Sequence, residues 1–399
     1  MNSHPRPDRK TASGRYALYI GLVGVVVAGA AVGGIILVNE GDEADASWHS
    51  TPAAAASTAV PAVPGKTAAA REESGTVESL TFSATGDIMM ASAPGGLPPK
   101  NGDGFFDGVR KDLASDLVMG NLEQPLTDDT GASKCGRPAR SGCFAFRSPP
   151  SYAGHLKDGG FQLMNLANNH AKDFGAAGNR NTITALEGAG LKYTGAADLI
   201  TTVEVKGVKV AVIGFAPYAG SNNLNDLTHA RDLVKRAKQE ADLVVVQAHM
   251  GAEGATMNHV KPGTENYLGE NRGDPIKFSH TVIDAGADLV IGHGPHVLRG
   301  MEFYKGKLIA YSLGNFAGGG HTLSKDGILK YAGILRVTMR SDGTYTGGKF
   351  VSTYLDSSGL PTRDTAGQHG RELVSTLTKA DFRSTGAVIG DDGTIKPPA

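Results

Sequence analysis

The chain reads as an α/β protein in which strand-like and helix-like segments alternate from about residue 76 to 355. Polar, chemistry-bearing residues follow the apolar strands, and the last strands lack intervening helices. The first two observations predict strands joined by crossover helices, and the third predicts an antiparallel portion. The expected architecture is a two-sheet sandwich with helices outside, in one domain and without internal repeats.

The elements follow in order. Val77 to Ala84 interleaves apolar and polar residues and ends at Gly86. Asp116 to Met119 and Phe161 to Leu166 are short apolar runs closed by polar turns. Thr202 to Ala216 reads as a hairpin, because Val203-Glu204-Val205 and Val208 to Phe215 flank Lys206-Gly207. Ala241 to Gln247 and Ala287 to Ile291 are nearly continuous apolar runs, the pattern of strands buried on both faces. Lys307 to Ser312, Ile334 to Met339 and Lys349 to Tyr354 add later strands. Helical patterns over Asn179 to Ala189, Ala230 to Glu240 and Ile276 to Ala285 each precede a strand.

The termini differ from this body. Residues 1–16 form a basic tail carrying Arg6, Arg9, Lys10 and Arg15. Ala17 to Val38 is an uncharged stretch of 22 residues, close to the ~20 that span a bilayer, and acidic residues Glu40, Asp42, Glu43 and Asp45 follow it. The bias predicts a single-pass anchor in the cell membrane, with a cytoplasmic N-terminus and the main domain extracellular. A cleaved signal peptide is the rival reading, because Ala44-Asp45-Ala46 has small residues at suitable spacing. Residues 39–75 are rich in Ala, Ser, Thr and Pro and read as a disordered stalk. The folded domain is expected over 76–360, with 361–399 as a partly disordered extension that is loosest from about Asp381 onward.

A formal net charge of -1 gives no reason to expect nucleic acid as a partner. The two cysteines, Cys135 and Cys143, sit close together in a loop rich in Gly, Arg and Ser. Outside the cytoplasm such a pair is expected to be bridged, and alone it would not complete a zinc site.

Five segments carry the candidate chemistry: Thr85-Gly86-Asp87, Gly120-Asn121-Leu122-Glu123, Asn168-Asn169-His170, Gln247-Ala248-His249 and Gly292-His293-Gly294-Pro295-His296. Each follows an apolar strand, where open α/β sheets build their sites. Asp87 alone could equally cap a helix or close an Asx-turn. Glu123, ahead of Gln124-Pro125, has no evident capping task. Amides and an imidazole at 168–170 need partners if buried, and Asp173 lies three residues on, within reach of orienting His170. A plain hydrogen-bonded turn is the other reading there. His249, His293 and His296 close two buried strands, which favours metal binding over core histidines. His155, His229, His259, His280, His321 and His369 have no such setting. Mixed oxygen and nitrogen donors suit one or two divalent ions such as Mn, Fe or Zn, which activate water and neutralise charge on oxygen.

These motifs, with Asn165-Leu166-Ala167-Asn168-Asn169-His170, Asp173 and Gly175, His249-Met250-Gly251-Ala252-Glu253, and Tyr311-Ser312-Leu313-Gly314-Asn315-Phe316, resemble the CapA family of capsule and poly-γ-glutamate biosynthesis proteins. They run in family order from about residue 80 to 320. The resemblance implies a four-layer αββα sandwich of the calcineurin-like metallophosphatase type, hung outside the cell from a membrane helix. It implies a metal-dependent hydrolase with Asp87, Glu123, Asn169, His249, His293 and His296 near the metals and His170 protonating the leaving group. It equally implies a non-catalytic accessory subunit with a vestigial metal site, partnered by an anionic envelope polymer and by membrane synthetase subunits. A general envelope protein keeping the fold for another ligand is a third reading. Met89, Asn121, Met250 and Gly294 stand where the related patterns commonly carry His, Asp, Trp and His, so one ion or two remain open.

Overall fold

The Lys206-Gly207 turn shows how local chemistry sets this fold. Both residues take positive φ, 50° and 78°, the geometry that matches a tight hairpin to the twist of its strands. The structure, a computed structural model, describes residues 78–399. The anchor and stalk expected at 17–38 and 39–75 lie outside the described residues. Among the described residues, no helix is long and apolar enough to cross a membrane.

In chain order the elements begin with β1 (Ser79–Met89), α1 (Arg110–Leu113), β2 (Leu117–Leu122), α2 (Ala153–Gly159), β3 (Leu163–Asn165), α3 (Gly175–Gly188) and β4 (Lys192–Thr194). Next come β5 (Thr201–Val205), β6 (Val208–Phe215), α4 (Leu227–Glu240), β7 (Leu243–His249), β8 (Asn266–Tyr267), β9 (Glu270–Asn271), α5 (Pro275–Asp284) and β10 (Leu289–His293). The chain finishes with β11 (Met301–Tyr304), β12 (Lys307–Ala310), β13 (Asn315–Gly318), β14 (Tyr331–Arg340), β15 (Tyr345–Leu355), β16 (Pro361–Arg363), α6 (His369–Asp381), β17 (Val388–Ile389) and β18 (Thr394–Lys396).

Two large sheets result. The larger runs β17-β18-β15-β14-β1-β2-β3-β4, with β13 also on β1 and β16 on β15; the smaller runs β11-β12-β10-β7-β6-β5. Strands β1 to β4 and β13 are parallel, whereas β14 and β15 are antiparallel. In the smaller sheet β6, β7, β10 and β12 are parallel and the edges β5 and β11 antiparallel.

Alternation within the strands sorts their side chains into three cores. Leu80, Phe82 and Leu117 meet Val210, Val245 and Leu289 between the sheets. Val109, Leu156 and Leu186 from helical segments cover the outer face of the larger sheet. Leu233 and Val234 of α4 and Phe278 and Val282 of α5 cover the outer face of the smaller one. The layering is therefore helix, sheet, sheet, helix. Each such side chain removed from water contributes about 1.5–3 kcal/mol, and the run Leu243-Val244-Val245-Val246 is apolar throughout because both faces of β7 are covered.

Two boundaries differ from the sequence reading. Strand β1 does not end at Gly86 but continues to Met89, because β13 pairs with it from Asp87 onward. Gly86 is required there: a Cβ would collide with the Gly314 carbonyl. The segment after Asp381, expected to be loose, carries β17 and β18. Its sparse apolar residues, Ile389 and Ile395, are buried in the inter-sheet core, and the Phe350 amide donates to the Gly393 carbonyl at 2.8 Å.

Candidate metal centre

Strand register assembles the site. Across the larger sheet Asn165 pairs with Asn121, Asn121 with Asp87, and Asp87 with Asn315, placing four polar residues in one row, the first three toward the carboxyl ends of β3, β2 and β1 and the last at the start of β13. Across the smaller sheet His249 pairs with His293. The two rows face one another, and the Gly294 amide lies 3.4 Å from Asp87 Oδ2 across the gap between sheets. Register shifts flank Asp87 on both sides of β1, a bulge of the kind that re-aims a side chain.

Asp87, Glu123 and His249 are fully buried and bring ligand atoms within 4.8 Å of one another. His296 Nδ1 lies 3.3 Å from Asp87 Oδ2, and its Nε2 lies 3.5 Å from Glu123 Oε1 and 3.8 Å from Glu253 Oε2. His293 Nδ1 stands 3.9 Å from Asp87 Oδ1. A left-handed φ of 58° at His296, costly for a residue with a side chain, turns this imidazole back into the cluster. Gly294, at φ 105°, leaves space that a Cβ would take from the His249 ring at 2.9 Å.

The surrounding amides fix these groups. Asn165 and Asn168 donate to Asn121 Oδ1 at 3.0 and 3.2 Å, and Asn121 Nδ2 donates to Asp87 Oδ1 at 2.8 Å. His293 Nε2 donates to Gln247 Oε1 at 3.1 Å, which leaves Nδ1 as its free nitrogen. His296 Nδ1 lies 2.9 Å from Asn315 Oδ1.

Burial sets most of the proton affinities. It holds His249 neutral well below its ordinary value, with the Arg272 cation adding to the effect. It pushes His293 down to about 4. For His296 burial is outweighed by Glu123, Asp87 and Glu253, which raise it to about 10. Glu123 is held well above the usual carboxylate range by burial, with Asp87 and Glu253 adding repulsion. Asp87 goes the other way, because its hydrogen bond and attraction to His296 overcome burial.

This donor set fits a divalent cation. Both carboxylate oxygens of Glu123 and Nδ1 of His293 are buried without a hydrogen-bond partner, an arrangement that is costly unless something positive faces them. Asp87, Glu123, His249 and His293 are the residues that would hold the ion, with His296 beside them.

His170 and Asp173 form a second group in the same neighbourhood. His170 Nδ1 donates to Asp173 Oδ2 at 2.7 Å, so Nε2 is the nitrogen left for a substrate. Burial lowers its proton affinity, although Asp173 opposes the shift. Lys134 Nζ pairs with Asp173 Oδ1 at 2.6 Å, and the Phe146 amide donates to Asp173 Oδ2 at 2.7 Å. Between Lys134 and Phe146 the expected Cys135–Cys143 disulfide is present. His170, His296, Glu253 and Phe146 line one cleft of about 260 Å³. Asn169, expected as a ligand, contributes its backbone carbonyl to Lys134 at 3.2 Å, while its Oδ1 is buried without a partner. The amide that reaches the cluster is its neighbour Asn168.

The sequence pattern of the family described as bacterial capsule synthesis protein PGA_cap matches residues 81–319. The chain belongs to this family. The capsule biosynthesis protein CapA of Bacillus anthracis is 33% identical over 294 residues, covering 67% of this chain and 66% of that protein. The PGA biosynthesis protein CapA of Bacillus subtilis (strain 168) is 30% identical over 297 residues, covering 69% and 71% respectively. Among solved structures, a purple acid phosphatase from yellow lupin (Lupinus luteus) seeds aligns over 71% of this chain and 53% of its own, at 10% identity and a TM-score of 0.35. That likeness is too slight to carry an argument.

The stretch shared with PGA_cap contains every residue of the cluster. Sequence reading alone missed four residues that shape it. Asn315 and Gln247 lay in motifs already noted, and their polar character beside histidines was a usable signal. Arg272 and Glu265 lie in the loop between β7 and α5, where no periodicity or motif marks them.

Proposed function

We propose that this chain is a membrane-anchored, extracytoplasmic member of the PGA_cap family whose centre is a metal-dependent hydrolase of the phosphoesterase kind. Its place would be the biosynthesis or export of an anionic capsular polymer of the poly-γ-glutamate type. The anchor rests on the apolar run at 17–38 with its basic flank. The polymer rests on the names of the relatives.

One observation carries the catalytic reading. Orphaned lone pairs of Glu123 and His293 face the same buried cluster as Asp87 and His249, and the Asp-oriented imidazole of His170 lines a cleft with His296 and Glu253 at its edge. A divalent ion held there would activate water near neutral pH and neutralise the charge that develops on the phosphoryl oxygens as phosphorus is attacked. Asp87 and Glu123 offer oxygen to it, and Gln247 keeps His293 Nδ1 turned inward. His170, once protonated from solvent at Nε2, would give that proton to the departing oxygen, and Asp173 at Nδ1 would stabilise the imidazolium that donates it. Water is restricted because all of Asp87, Glu123, His249 and His293 are buried.

The test is the His249→Ala variant, assayed for metal content and for hydrolysis of an aryl phosphate monoester and diester. The reading expects both to be lost together. If the wild-type chain holds no metal under metal-replete conditions, the reading fails. The accessory-subunit reading is favoured by Asn121, which presents an amide donor to Asp87 at a position between the carboxylates. It predicts that polymer export in cells survives His249→Ala.

A further inference from the structure

The proposed reaction leaves one buried cation without a task. Arg272 follows β9 and is 1% exposed. Its Nη1 donates to Glu253 Oε1 at 2.8 Å, and its Nη2 lies 3.1 Å from His249 Nε2. The guanidinium carbon lies 5.7 Å from the Tyr218 ring centre and 6.0 Å from that of Tyr267, and its Nε is buried without a partner.

We propose that Arg272 is the fixed second cation of the centre, so that this chain holds one divalent ion beside a guanidinium rather than two ions. The inference rests on the metal reading above and goes beyond it by setting the number of ions and assigning Arg272 a role.

Charge balance is the first support. Three carboxylates surround His296, from Asp87, Glu123 and Glu253, at 3.3, 3.5 and 3.8 Å. Counted with His296 neutral once the ion is bound, one guanidinium and one divalent ion neutralise them. A second divalent ion would leave a buried excess of positive charge, which the interior strongly disfavours.

Lone-pair accounting is the second. Glu253 Oε1 already accepts from Arg272, whereas His249 Nε2, 3.1 Å from Arg272 Nη2 and 3.7 Å from Glu123 Oε1, lies between the guanidinium and the cluster. Asn121 aims a donor, not an oxygen, at Asp87. Among the carboxylates and imidazoles of the cluster, what remains without a partner is the Glu123 carboxylate and His293 Nδ1, facing Asp87 and enough for a single ion. Asn169, whose Oδ1 is also without a partner, lines the cavity with Lys172 and Tyr218.

Preorganisation is the third. The Arg272 amide donates to the Glu265 carbonyl at 2.8 Å, and the Gly251 amide donates to the Arg272 carbonyl at 2.8 Å. Glu265 is itself gripped by Arg299 through two bonds of 3.0 and 2.8 Å and accepts from the Ala252 amide at 2.7 Å. A charge this deeply buried needs such support, because several kcal/mol are lost when an ion leaves water.

The experiment counts bound Mn²⁺ or Zn²⁺ per full-length chain by equilibrium dialysis and elemental analysis. Wild type is expected to bind one equivalent, Arg272→Gln two, and Arg272→Lys, which keeps the charge, one. If Arg272→Gln does not fold, the wild-type and Arg272→Lys counts decide. Two equivalents in wild type, or one in a folded Arg272→Gln, would overturn the assignment of Arg272 alone. No bound metal in wild type would overturn the metal reading and this inference with it.

Discussion

His293 Nε2 lies 3.1 Å from Gln247 Oε1, a diagonal contact between β10 and β7. It decides which nitrogen of His293 faces Asp87. Without it the imidazole can rotate or change tautomer, and its lone pair leaves the cluster. Gln247→Leu fills similar volume and removes the acceptor. Its metal affinity is expected to fall about 10–100-fold, measured by competition with a chromophoric chelator. Unchanged affinity would show that packing alone orients the ring.

His170 acts on the substrate and not on the ion. His170→Gln is therefore expected to lower turnover by about 10²–10⁴-fold with metal content unchanged, and Asp173→Asn to lower it less. The comparison is steady-state kinetics beside elemental analysis of the same preparations. Metal lost together with activity would place His170 in the ion's own shell.

Protons and metal compete for one site. In the metal-free protein His296 is raised to about 10 and so carries a proton near neutrality, and burial makes Glu123 hold its proton more tightly than an ordinary carboxyl. Metal binding must expel at least part of them, and apparent affinity should rise with pH between about 6 and 9. Calorimetry in buffers of different ionisation enthalpy reads the release directly. The stability sign follows as well. A histidine raised from 6.5 to about 10 stabilises the metal-free fold fully below pH 6.5, and that contribution disappears as pH rises toward 10. A metal-free protein that melts identically at pH 6 and pH 9.5 would contradict this.

The disulfide anchors the wall beside His170. Cys135 and Cys143 are eight positions apart, and closing so short a loop stabilises by about 2 kcal/mol. Replacing both by Ser is expected to lower the melting temperature and to speed amide exchange at Phe146, whose N–H holds Asp173. Turnover should drop while metal content stays. Unaltered exchange at Phe146 would show that the Lys134–Asp173 ion pair suffices.

How far the sequence foretold this molecule depends on where each signal resides. Strands β6, β7 and β10 were legible because covered faces demand unbroken apolar runs such as Val244-Val245-Val246. Asp87, Glu123, His249 and the two histidines around Gly294-Pro295 were legible because each lies just after an apolar run in the sequence. Strands β4, β8, β9, β16, β17 and β18 have two or three residues each, too few for any periodicity to register. Strand β13 was hidden because Gly314-Asn315-Phe316 stood out only as part of a motif; its pairing with β1 from Asp87 onward goes with a close approach of Gly86 to Gly314. Asn165, Asn121, Asp87 and Asn315 form one polar row only through cross-strand register, a relation that sequence spacing does not contain. Arg272 reaches His249 by tertiary folding of the loop between β7 and α5, so nothing local announced it.

The most direct test is a crystal of the chain grown with Mn²⁺ or Zn²⁺ and measured at the metal's absorption edge. The account predicts an anomalous peak about 2.0–2.2 Å from ligand atoms of Asp87, Glu123 and a histidine of the cluster, absent in His249→Ala. A metal-soaked crystal with no peak between the two sheets, or with its peak only at surface residues, would contradict it.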